Sequence, residues 1–168
     1  MAVINRVANS ETFTVTTPSD REIVLTRLFD APRHLLFEAM TRPEHVSQWW
    51  GRLTDGHSVS CEIDFRPGGA WRFVGRGPEG DYPAFFGVYR EINAPERVVF
   101  TEIFEPYPDV ESVVTSLLTE ENGKTRLTVN VLYPSLEVRD MVLQTGMEKG
   151  AGTSYDRLEE LAASLAQA

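Results

Sequence analysis

The chain has 168 residues, 42% hydrophobic and 24% charged, with a formal net charge of −9. That acidity argues against a nucleic-acid partner, whose phosphates need a basic face, and against docking on anionic lipid. The single cysteine, Cys61, excludes an internal disulfide and a cysteine-based metal cluster.

The length suits one domain. The opening stretch MAVINRVANSETFTVTTPSD lacks the continuous apolar segment of a secretory signal. No apolar run approaches the ~18–20 residues of a membrane span, so the expected location is the cytoplasm. Residues 1–11 are expected to be a mobile terminus, followed by a single domain over 12–168.

REIVLTRLFD (21–30) alternates in the manner of a strand. Asp30-Ala31-Pro32 then starts a helix that carries Leu36, Phe37 and Met40 on one face. Thr41-Arg42-Pro43 breaks it, and PEHVSQWW reads as a second short helix ending at Gly51. From residue 58 the period changes to two. SVSCEIDF (58–65), AWRFVGR (70–76), FFGVYREI (85–92), RVVFTEIFE (97–105), SVVTSLLTE (112–120) and TRLTVNVLY (125–133) read as strands. RPGG, GPEGDYP, NAPE and PYPD are turns, and Asn122-Gly123 is a hairpin signal. Successive strands with no helix between them imply an antiparallel meander.

After Pro134 an apolar or small stripe runs through Leu136, Leu143, Met147, Ala151, Ser154, Leu158, Leu161 and Leu165. It predicts one long helix of roughly 25–30 residues, well above the ~12-residue average. Gly146, Gly150 and Gly152 lie in that stretch, although each interior glycine costs ~1 kcal/mol relative to alanine. Two readings explain them. The glycines thin the helix waist so that a ligand or large aromatics fill the gap, or they permit close helix–sheet contact or mark a kink.

The segments VLTRLFDAPRHLLFEAMTRPEHVSQWWG, FRPGGAWRF, FGVYREINAPERVVFTEIF and GMEKGAGTSYDRLEEL, in that order, resemble the SRPBCC superfamily. This is the START-like, birch-pollen-allergen-like helix-grip group. The chain is most similar to the branch related to the activator of the heat-shock-protein ATPase, over about residues 20–166. The resemblance implies an α+β fold: a curved antiparallel sheet wrapped around a long C-terminal helix, with two short helices after the first strand. It also implies an apolar cavity between sheet and helix. Family members bind lipids, hormones, polyketides or other hydrophobic molecules, and some are cyclases. The eukaryotic activator engages a chaperone through a two-domain chain, and 168 residues leave no room for its extra N-terminal domain. A chaperone partner is thus suggested by resemblance alone.

The residues point to binding before chemistry. His34, His45 and His57 are the only histidines and none is paired at a metal-ligand spacing. There is no nucleophile elbow and no triad; Gly75-Arg76-Gly77-Pro78-Glu79-Gly80 lies between strands and reads as a turn. No metal, cofactor or catalytic residue is therefore assigned. Cys61 reads as a small buried hydrophobe and His57 as an exposed loop residue. The helix wall of the expected site is Met147, Gly150, Ala151 and Ser154. The sheet wall is Trp71, Phe73, Phe85, Tyr89, Phe100, Glu102 and Ser116. Trp49 and Trp50 are rim candidates, since adjacent indoles on a helix cannot face the same core. Glu102 shares a strand face with Val98, Phe100 and Phe104, and there it needs a partner such as Arg27, Arg72 or Tyr89. A structural ion pair is the favoured reading. The alternative is that this face is solvated, with Thr101 and Ile103 turned inward.

The expected function is binding of a small hydrophobic molecule between sheet and helix. The alternatives are a cyclase or hydrolase using Glu102 with Tyr89 or Arg72, and a chaperone-directed interaction module. An edge strand leaves room for a homodimer.

Overall fold

Alternation in the strand segments decides which side chains meet the helix. The computed structural model describes residues 5–9 and 13–167. Most of the stretch expected to be mobile, 1–11, lies outside the described residues. Of it, Asn5–Asn9 forms β1, antiparallel to β2 (Phe13–Thr17). The remaining strands are β3 (Glu22–Phe29), β4 (Ser58–Ile63), β5 (Ala70–Gly77), β6 (Gly80–Asp81), β7 (Phe85–Asn93), β8 (Arg97–Phe104), β9 (Glu111–Glu121) and β10 (Lys124–Leu132). They form one antiparallel sheet in the order β1-β2-β3-β10-β9-β8-β7-β5-β4, with β6 beside β5. The β9–β10 hairpin turns at Asn122 and Gly123, both at positive φ. β2 lies in a stretch where the sequence pattern predicts no strand. FTVTT is short, and its pattern emerges only when Val15 and Thr17 are seen buried.

Helix α1 spans Arg33–Thr41 and α2 spans Pro43–Val46. The second helix is shorter than expected, with Ser47–Trp50 continuing as turn. The long stripe after Pro134 is divided. Helix α3 (Leu136–Gln144) begins at Ser135, whose hydroxyl accepts from the Val138 N–H at 3.2 Å. Helix α4 (Met147–Ala166) holds the remaining 20 residues. Gly146 separates them at φ 75, a left-handed conformation that glycine adopts without steric cost. Leu136 accordingly leaves the stripe and is exposed.

One sheet face meets α1 and α4. Register places on it Ile23, Leu25, Arg27 and Phe29 of β3, and Leu127, Val129 and Val131 of β10. From β9 come Val114, Ser116 and Leu118, and from β8 Val98, Phe100 and Glu102. Tyr89, Gly87 and Phe85 of β7, Trp71 and Phe73 of β5, and Cys61 and Ile63 of β4 complete it. Gly87 is confined by packing: an added Cβ would run into the Thr101 carbonyl and the Trp71 indole nitrogen, which donates to that carbonyl at 3.1 Å.

The inner face is sealed unevenly. Along β3, β9 and β10 it is closed: Ile23, Phe29 and Leu127 are 0% exposed, as are Leu158 and Ala162 of α4 and Leu36 of α1. Along β4, β5, β7 and β8, Cys61, Ile63, Phe73, Phe85, Phe100 and Glu102 all keep open surface. So do Met147 and Ala151 in the first turns of α4, and α3 has no buried residue.

Arg27 fixes this arrangement. It is buried on the inner face, donating to Asp156 at 2.6 Å and Glu159 at 3.0 Å on α4. Glu159 also accepts from the Asp30 N–H at 3.1 Å. Removing one side of a buried pair strands the other charge, whereas an apolar replacement of similar size does not. The double change Asp156→Ala/Glu159→Ala is expected to lower unfolding free energy by on the order of 2–3 kcal/mol in urea titrations. Arg27→Met is expected to cost distinctly less.

Candidate functional site

The open part of the inner face is built from strands β4, β5, β7 and β8, with Trp50 packed against it. Trp50 stands edge-on to Phe73 and Phe85, with ring centres 5.1 and 5.5 Å apart. Trp71 contacts Phe73 and Phe100, and Tyr89 contacts Phe100 and Phe65. A cleft of about 260 Å³ opens at this end, lined by Trp50, Val59, Gly75, Phe85, His57 and Tyr82 among others. His57 and Tyr82 flank it as a stacked pair, with the imidazole Nε2 3.0 Å from the phenol oxygen. The other ring nitrogen faces the Thr54 and Asp55 carbonyls, so it carries the proton and Nε2 accepts from Tyr82.

A larger cleft, about 530 Å³, lies on the opposite sheet face around Arg72, Arg76, Glu62 and Glu105. Its charges are already matched: Arg72 pairs with Glu105 and Arg76 with Asp81, both at 2.7 Å and well exposed. The smaller cleft is the one continuous with the aromatic inner face.

Glu102 lies deeper on that face, with Ser112 opposite it on β9. The expected ion pair does not form. Arg27 is held by Asp156 and Glu159, Arg72 points out of the other face, and Tyr89 makes no hydrogen bond to it. Among the described residues no donor lies within hydrogen-bond reach of Glu102 and no cation within ion-pair reach. The surrounding protein desolvates the carboxyl and pushes it up to about 7 from an ordinary 4.5. Yet Glu102 is only half-buried by its own surface. Glu102 is thus, among the described residues, an unpaired carboxyl on the inner face that keeps some open surface.

Two phenols lie near enough to Glu102 to feel its charge. Tyr133, just beyond β10, and Tyr155 on α4 are both pushed upward, first by burial and in part by the Glu102 charge. Tyr155 also packs its ring against Phe13, Phe29 and Trp49. Tyr89 is raised by burial and then by Cys61, and burial pushes the Cys61 thiol up to about 12, which keeps it unreactive.

The remaining sequence candidates divide. Trp71, Phe73, Phe85, Tyr89, Phe100, Glu102 and Ser116 all share the helix-facing side, and Ser116 is buried between Val98 and Val129. Met147 and Ala151 pack half-buried on the core and Ser154 is buried. Gly150 is exposed, with open space where a Cβ would stand. It sits two turns before Arg157, on the flank whose arginine donates to the Trp49 and Gly51 carbonyls. Trp49 is a core residue: it is buried, and its indole N–H donates to the Ala39 carbonyl at 2.9 Å. Trp50 alone of the two lines the cleft. The three glycines have separate explanations. Gly146 breaks the helix, Gly150 meets open space, and Gly152 lies where a Cβ would contact the Phe13 ring at 3.5 Å. Ser112 and Tyr133 are not among the site residues expected from sequence. Tyr133 continues the alternation of β10, and that parity is the signal that points to it.

A curved antiparallel sheet closed by a C-terminal helix, with an aromatic inner face, defines an SRPBCC-type helix-grip protein. The chain belongs to the family described as Activator of Hsp90 ATPase homolog 1-like protein, which matches residues 30–163. Among solved structures, a Rhodobacter sphaeroides protein superposes with TM-score 0.81 at 27% identity, covering 91% of this chain and 99% of its own. A Nitrosomonas europaea protein, NE0264, superposes with TM-score 0.76 at 25% identity, covering 89% and 98%. The Mycobacterium smegmatis protein Ms6760 gives 0.75 at 25% identity, covering 87% and 93%. No curated relative matches the sequence. No helix among the described residues is long and apolar enough to cross a membrane.

The raised Glu102 carboxyl makes stability depend on pH. An acid with a higher pKa folded than unfolded stabilises fully below about 4.5 and loses that contribution as pH rises towards about 7. A tenfold difference in proton affinity between folded and unfolded chains is worth about 1.4 kcal/mol. Glu102→Gln is therefore expected to gain on the parent between pH 5 and 8, by on the order of 2 kcal/mol in urea unfolding. A pH-independent difference would show that the carboxyl is not desolvated.

Proposed function

We propose that the protein binds a small hydrophobic molecule between strands β4, β5, β7 and β8 and the first turns of α4, with entry past Trp50. The uneven burial of the inner face supports this reading most directly. Phe73, Phe85, Phe100, Cys61 and Ile63 point at the helix and still keep open surface, while Ile23, Phe29 and Leu127 on β3 and β10 have none. Apolar side chains turned inward but left uncovered are the usual lining of a ligand site. Shape and apolar burial supply affinity, and Glu102, Tyr133 and Tyr155 supply polar direction. Family membership by itself carries a chaperone partner no further, because one fold hosts many functions.

The neutral dye N-phenyl-1-naphthylamine tests this. Its fluorescence is expected to rise saturably on the folded protein, with one site per chain. Trp50→Ala is expected to weaken binding by about tenfold, since aromatic anchors dominate such sites, and because Trp50 also packs on Phe73 and Phe85 the variant's folding is checked by its urea transition. A folded protein with no saturable dye site would contradict the proposal.

A further inference from the structure

Glu102 brings an unpaired carboxyl to the inner face, and that restricts the occupant of the proposed site. Among the described residues Glu102 has no donor or cation beside it. Arg27, the cation on the inner face of the central strands, is engaged by two carboxylates of α4. Arg157 donates to the Trp49 and Gly51 carbonyls. Arg72 and Arg76 lie on the other face, each paired. Around Glu102 stand phenols and aromatic rings: Tyr133 and Tyr155 near enough to feel its charge, and Trp71, Phe100 and Tyr89 on the same face. A carboxylate in an apolar enclosure is costly unless a partner supplies opposite charge or hydrogen bonds. Aromatic faces attract cations, more strongly when water is excluded. A neutral apolar guest leaves the carboxylate uncompensated, and an anionic guest adds a second like charge in a low dielectric. The net charge of −9 also draws cations toward the molecule.

Resting on the binding role above, we propose that the occupant is a cationic amphiphile. Its single basic nitrogen pairs with Glu102, and its apolar body lies along Trp71, Phe73, Phe85 and Trp50. Three probes with one carbon skeleton separate this from hydrophobic binding in general: phenylbutylamine, phenylbutanol and phenylbutyrate, titrated calorimetrically at pH 8. The amine is expected to bind at least about tenfold more tightly than the alcohol, a difference of about 1.4 kcal/mol, with the acid weakest. Glu102→Gln is expected to abolish the amine's advantage over the alcohol, with a single cooperative urea transition showing that the variant is folded. Equal affinity of amine and alcohol in the parent, or an amine preference that survives Glu102→Gln, overturns the inference and leaves the hydrophobic-ligand reading intact. Failure of all three probes to bind overturns both.

Discussion

The clamp of Arg27 on Asp156 and Glu159 governs how helix and sheet meet. It ties the third turn of α4 to the centre of β3, next to Phe29 and the fully buried Leu158. Because the clamp sits on one side of the sheet, close packing is confined to that side. In the opening turns of α4, Met147 and Ala151 are only partly buried against the core. Gly150, on the neighbouring flank, is exposed, with open space where a Cβ would stand.

The same clamp explains the state of Glu102. Arg27 and Glu102 share the inner face, and in a tightly collapsed core they would be natural partners. With Arg27 held by the two α4 carboxylates, Glu102 has no ion-pair partner among the described residues. Its desolvation is retained because the fold is stabilised elsewhere, by the closed core of β3, β9, β10, α1 and the second half of α4.

Much of this is legible in the sequence, because it depends on periodicity. Strict alternation in SVSCEIDF and TRLTVNVLY sets the strand faces, and the sheet residues assigned to the helix-facing wall do share one side. Helix face is legible for Leu158 and Ser154 for the same reason. Backbone geometry is not. Gly146 reads as one more thinned helix position, yet its left-handed φ ends α3 and restarts the chain as α4. Partnering is not legible either. Arg27 lies 129 and 132 residues from its carboxylates, so its commitment away from Glu102 is a fact of three-dimensional proximity. Ser112 and Tyr133 follow the parity of β9 and β10, but they stand at strand ends, where alternation weakens as a signal.

Binding and charge selection both require a cavity between the first turns of α4 and strands β5, β7 and β8. Crystals of the protein pressurised with xenon test for it directly, since xenon occupies apolar voids without needing a specific ligand. Xenon density among Phe73, Phe85, Phe100 and Ala151, with none among Ile23, Leu127 and Leu158, is the predicted result. A structure with no xenon beneath α4, and with those aromatic rings closed onto Met147 and Ala151, would contradict it.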